Sequence, residues 1–194
     1  MLLVSALPIE MAPLLSALNA QPVEKYSKKT GLYRTDYIDL LITGVGPIMA
    51  KRSLLRYLEQ HHPDRILNFG TAGILDDHLP VKAVYSISDC YQVKTNEYET
   101  LATGKILPTA ICASAAYPVI SIKEKHQIFQ QTGAQLVDME CFTLAHIAAQ
   151  AGIKMSAIKV TTDNADKETI DIFTKHVQLS VQLLCDTVLN EIKL

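Results

Sequence analysis

Hydrophobic positions along this chain change period repeatedly. Residues 2–6 form a continuous run of apolar and small residues, as expected of a strand covered on both faces. Ile9, Met11, Leu14, Leu15 and Leu18 then repeat at helical spacing behind Pro8, a residue suited to a first helical turn. Residues 33–39 alternate and 40–43 are apolar, which predicts a hairpin leading into a central strand. Residues 47–61 read as a helix, with Ile48, Leu54, Leu55 and Leu58 recurring in a helical pattern and Lys51, Arg52 and Arg56 toward water. Residues 65–69 predict a strand ended by a small-residue turn, Gly70-Thr71-Ala72-Gly73. Further strands are expected over 81–89, 106–114, 136–139 and 154–161, with a helix over 140–151. A last helix over 168–192 carries Ile170, Phe173, Val177, Val181, Leu184, Val188 and Ile192 in steps of three or four.

Strands alternating with helices in one domain-sized length predict an α/β fold. The expectation is a single domain over 1–194, three layers deep (α/β/α), around a central mixed twisted sheet. With 48% apolar and 20% charged residues, the chain can bury a large core. The net charge of −2 is dispersed, so no basic stripe for nucleic acid or a membrane surface is present. The N-terminus lacks a positive leading region and meets Glu10 at once, which reads as a buried strand and not a signal peptide. No apolar run approaches the roughly 20 residues that span a bilayer. Cys90, Cys112, Cys141 and Cys185 contain no CxxC pair, so reduced cysteines in a cytoplasmic protein are expected. His61 and His62 end a helix, His146 and His176 lie within helices, and no HExxH occurs, so no metal is expected. Ser5 and Ser114 lack a GxSxG context, which argues against a serine nucleophile.

In α/β folds ligands collect where strands end and helices begin. Thr43-Gly44-Val45-Gly46 occupies such a junction, but Met49 replaces the third glycine of a dinucleotide fingerprint and Pro47 removes a donor. Close approach to a smaller ligand, or a tight turn, is preferred to a dehydrogenase. The 70–73 turn is either a plain connection or a floor on which a ribose or anion meets backbone N–H groups and the Thr71 hydroxyl. Asp138 and Glu140 stand two apart at a strand end and so share a face. Asp138 suits a cap of the next helix, whereas Glu140 suits a ligand carrying hydroxyls. Asp163, in Thr161-Thr162-Asp163-Asn164-Ala165-Asp166, is a turn residue or a general acid. Glu10 is a first-turn acid or a base acting on water.

Ala6-Leu7-Pro8-Ile9-Glu10, Gly44-Val45-Gly46, Asn68-Phe69-Gly70-Thr71-Ala72-Gly73, Asp138-Met139-Glu140 and Thr161 to Asp166 occur in one order along the chain. In that order they resemble the nucleoside phosphorylase/nucleosidase superfamily, and within it the methylthioadenosine/S-adenosylhomocysteine nucleosidases. The resemblance implies a nucleoside phosphorylase-like fold, cofactor-free release of a purine base from a nucleoside, and a homodimer. It implies that Glu10 activates water and Asp163 protonates N7 of the base. Glu140 would hold ribose hydroxyls above Met139, with Thr71, Ala72 and Gly73 near the sugar and Asp138 and Thr162 beside it. The base would lie along 114–119, with Tyr117 stacking and Pro118 and Val119 flanking.

Water is favoured over phosphate as acceptor, because the nearest cations expected at the glycine turns are Arg65, Lys51 and Arg52. A phosphorylase and an inactive nucleoside-binding protein are the alternatives. Two departures stand out. Asp138 replaces a usual glutamate, and the chain between 81 and 114 is short, as if the cover over the substrate's 5′ end were trimmed. Futalosine hydrolases take bulky 5′ groups, so methylthioadenosine, S-adenosylhomocysteine and aminodeoxyfutalosine all stay open. The short form also resembles the nucleosidase of chlamydia-like bacteria.

Overall fold

Strand β1, Leu2–Ser5, is buried along its whole length. Leu2 and Val4 enter one apolar cluster and Leu3 enters another, so helices must cover both faces. Helices α2 (Pro47–Leu58) and α4 (Cys141–Gln150) cover the first face through Leu54, Tyr57, Phe142 and Leu144. Helices α1 (Pro8–Ala17) and α5 (Thr169–Ile192) cover the second through Met11, Leu14, Leu184 and Val188. The result is the expected three-layer arrangement. This computed structural model describes residues 1–104, 106–167 and 169–192, the side chains of 169–176 excepted. Glu168, the expected start of the last helix, and the side chains of Ile170, Phe173 and His176 therefore lie outside the described residues.

Strand β5, Arg65–Ile74, organises the sheet. One edge runs parallel to β10, Lys154–Asp163, for nearly its full length. Its other edge is divided. Residues 66–68 pair with β1, whereas Gly73 and Ile74 pair antiparallel with β9, Leu136–Asp138. Residues 69–72 have no strand neighbour there. Strand β6 (Val84–Gln92) runs antiparallel to β10 and parallel to β8 (Thr109–Ser114), which runs parallel to β9. Strands β10, β6, β8, β9 and β5 thus close into a ring within the mixed sheet. Beyond β1 lie β4 (Asp39–Ile42), β3 (Gly31–Arg34) and the edge strand β2 (Gln21–Lys25).

Four expectations need correction. Residues 70–73 are not a turn but the continuation of β5. Strand β10 runs two residues further than predicted, to Asp163. Strand β4 lies between β1 and β3, away from the sheet's centre. Helix α3 (Ile122–Thr132), β2 and the short β7 (Tyr98–Thr100) were not expected at all. No helix among the described residues is long and apolar enough to cross a membrane.

Candidate active site

The interruption along β5 is where the first acid enters. Glu10 sits in the first turn of α1, where Leu7 N–H donates to its Oε2 at 3.0 Å, as in half of a capping box. Its Oε1 accepts from both the N–H and the hydroxyl of Thr71, each at 2.8 Å. The carboxylate thus takes the place of the missing strand and satisfies an amide that no strand pairs with. Gly70 makes room for it: a Cβ there would lie 3.2 Å from Glu10 Oε1.

Gly73 does the same for Asp163. The two residues are paired in register across β5 and β10, and a Cβ on Gly73 would meet Asp163 Oδ1 at 3.0 Å. Asp163 is buried, accepting from Thr162 Oγ1 at 2.8 Å and from Ala165 N–H at 3.0 Å. The glycines that look like turn signals are instead clearances for two acids. Gly73→Ala is expected to fold, with stability lowered by roughly 1–3 kcal/mol through overpacking and with the Asp163 carboxyl displaced. A thermal melt beside the carboxyl ¹³C resonance of Asp163 measures both effects.

A third acid arrives from the start of α4. Glu140 is the N-cap residue of that helix, and its Oε1 accepts from Gly46 N–H at 2.6 Å. Gly44 and Gly46 have φ of 86° and 90°, backbone that glycine adopts readily, and the turn they make delivers this amide. Burial pushes the Glu140 carboxyl up to about 8; the charge of Asp138 adds to this, while Lys159 and Gly46 N–H oppose it.

Asp138 turns inward instead. It accepts from Ser114 Oγ at 2.6 Å and from Cys141 N–H at 2.9 Å, and Lys159 Nζ lies 2.7 Å from its Oδ2. Of the two roles weighed for Asp138, the helix cap is the one its hydrogen bonds make. Lys159 is 2% exposed. Burial works most strongly against its charge, but the surrounding acidic groups, Asp138 foremost, together outweigh burial and hold the ammonium charged.

These groups surround one cavity of about 290 Å³, lined by Glu10, Asp138, Glu140, Lys159 and Asp163 together with Thr71, Ala72, Gly73, Met139 and Thr162. Val45 lines it too, and of the expected base segment 114–119 so do Tyr117, Pro118 and Val119 but not Ser114, Ala115 or Ala116. Val119 is buried, whereas Tyr117 is 79% exposed. Glu10, Thr71, Ala72, Gly73, Asp138, Met139, Glu140, Thr162 and Asp163 thus border one space, whereas Gly44 and Gly46 do not. Lys159 was missed, though a lysine inside the apolar run of 155–160 is a readable sign of a buried partner. It also changes the argument about cations: among the described residues Lys159 lines the cavity, whereas Arg65, Lys51 and Arg52 do not, and its ammonium is already paired. The arrangement offers carboxylates and small apolar walls to a neutral ligand rich in hydroxyls.

Residues 1–108 and 99–192 match the family model described as the Phosphorylase superfamily. The chain belongs to this superfamily. Its fold is close to that of a Helicobacter pylori 5′-methylthioadenosine/S-adenosylhomocysteine nucleosidase, with a TM-score of 0.90 and 15% identity over 99% of this chain and 97% of that one. A futalosine hydrolase of the same organism gives 0.87 and 16% over 99% and 96%. An S-adenosylhomocysteine nucleosidase from Streptococcus pyogenes gives 0.84 and 18% over 96% and 93%. No curated protein matches the chain. Within the superfamily, identities this low establish the fold these chains share, and the chemistry must be argued from the cavity.

Proposed function

We propose that this member of the phosphorylase superfamily is a purine nucleosidase, the whole chain forming one nucleosidase domain. It hydrolyses the N-glycosidic bond of 5′-substituted adenosine-type nucleosides and releases the free base. One observation carries this reading. Glu10, Glu140 and Asp163, remote in sequence, border the same cavity, and glycines clear the space for two of them. Breaking a ribosidic bond develops positive charge on the sugar and negative charge on the base. Glu140 then accepts sugar hydroxyls and stabilises the cation, Asp163 delivers a proton to N7 of the base, and Glu10 takes one from the attacking water. Methylthioadenosine, S-adenosylhomocysteine and aminodeoxyfutalosine are all candidate substrates. The similar structures named for methylthioadenosine, S-adenosylhomocysteine and futalosine support this range, and a cytoplasmic homodimer is part of the same proposal.

Phosphorolysis is the second reading, and the pairing of Lys159 with Asp138 speaks against it, because among the described residues no other cation lines the cavity to hold a phosphate. Incubation with the three nucleosides, with base release followed by chromatography, tests the proposal. Release from at least one supports it, and release from none leaves a binding protein.

Glu140 also imposes a pH dependence. Its folded value of about 8 exceeds its ordinary 4.5, so between these limits the free protein retains a proton that the unfolded chain has lost. This group's contribution to stability is complete below about 4.5 and is lost as pH rises through about 8. Hydroxyl ligands favour the ionised form, so nucleoside binding near pH 7 is expected to release a proton. Calorimetry in buffers of different ionisation enthalpy reads that proton, and Glu140→Gln is expected to abolish it.

A further inference from the structure

Helix α3 turns three residues inward: Lys125, Ile128 and Thr132. Lys125 is 3% exposed, at a position where an aliphatic side chain would pack without the penalty of burying a charge. Its Nζ lies 2.5 Å from Asp77 Oδ1 and donates to the carbonyl of Asn164 at 2.9 Å. Asn164 stands between the two residues that matter most to the proposed acid. One is Asp163 itself. The other is Ala165, whose N–H binds Asp163 Oδ1 and whose methyl packs in a cluster with Ile128 and Val119. Asp77 follows the end of β5, the strand that places Gly73 against Asp163. One ammonium therefore ties α3, the exit of β5 and the exit of β10 together beside the acid, without lining the cavity itself.

Resting on the nucleosidase reading, we infer that Lys125 is a positioning residue for Asp163, holding the Asn164 carbonyl so that the Asp163 carboxyl stays aimed at the departing base. The Asp77 carboxyl is held below its usual range chiefly by its hydrogen bond to Lys125. A group that acts only through Asp163 ceases to matter once that carboxyl is gone.

The test is a double-mutant cycle on base release. Lys125→Met is expected to lower kcat on the order of 10²-fold, the usual effect of displacing a catalytic group by about 1 Å, with KM within about threefold. Lys125→Arg, which retains a cation and donors, is expected to recover most of the loss. In the Asp163→Asn background, Lys125→Met is expected to cost nothing further. Losses that multiply in the double variant would overturn the inference. Should Lys125→Met fail to fold, Lys125→Gln enters the same cycle. A readout independent of turnover is the carboxyl ¹³C resonance of Asp163, expected to move in Lys125→Met. An unmoved resonance defeats the inference even if the wild type releases base. A wild type that releases no base defeats the nucleosidase reading instead.

Discussion

Asp163→Asn is expected to fold as the parent does and to release base on the order of 10²–10⁴ times more slowly, the range that general-acid catalysis contributes. The change is nearly isosteric. An asparagine oxygen can still accept from Ala165 N–H, and the Thr162 hydroxyl can rotate to accept from the amide in place of donating to Oδ2. The pocket therefore keeps its shape, and KM should change little. What is lost is the proton. Purines leave poorly as anions, and Asp163 is the acid that the end of β10 brings to the cavity. Single-turnover kinetics, which separate binding from chemistry, measure the effect. Unchanged turnover would remove Asp163 from the mechanism while leaving the fold and the superfamily membership intact.

Lys159→Met is expected to destabilise the protein by about 3–5 kcal/mol, the usual cost of breaking a buried ion pair from one side. Asp138 would then be left within the sheet without its cation. Glu140, whose carboxyl burial already pushes up to about 8, loses one of the groups that oppose that shift and is expected to hold its proton more firmly. Denaturant melts should show the instability, and nucleoside affinity at pH 7 should fall with it. Removing both charges in Lys159→Met/Asp138→Asn is expected to recover much of the stability, because no charge is then left unpaired. A double variant less stable than Lys159→Met alone would contradict this account of the pair.

Much of the fold was legible because its core strands and helices are covered in ways that leave clear periods. Leu2–Ser5 reads as a strand buried on both faces because it is one. The site was legible because its acids fall at strand ends and helix starts, where apolar periodicity stops and a carboxylate stands out. What was misread shares a physical cause. Glycine usually marks a turn, but Gly70 and Gly73 lie within β5 for the space they leave around Glu10 and Asp163. Helix α3 escaped notice because two of its three inward positions, Lys125 and Thr132, are polar and erase the apolar stripe. Its ends were readable: Ser121 with Glu124 has capping-box spacing, and Gly133, at φ 67°, closes the last turn. Strand β2 carries Pro22 on an exposed edge, where no alternation is needed. Lys159 was passed over because a strand hides which of its residues meet a partner from another part of the chain.

The central claim is that three acids from separate parts of the chain act together on one nucleoside, with water as the acceptor. The sugar product formed in phosphate buffer tests it most directly. Free sugar, formed in step with adenine and at a rate independent of phosphate concentration, is the predicted result. A sugar 1-phosphate, or no release of base from any of the three nucleosides, would contradict it.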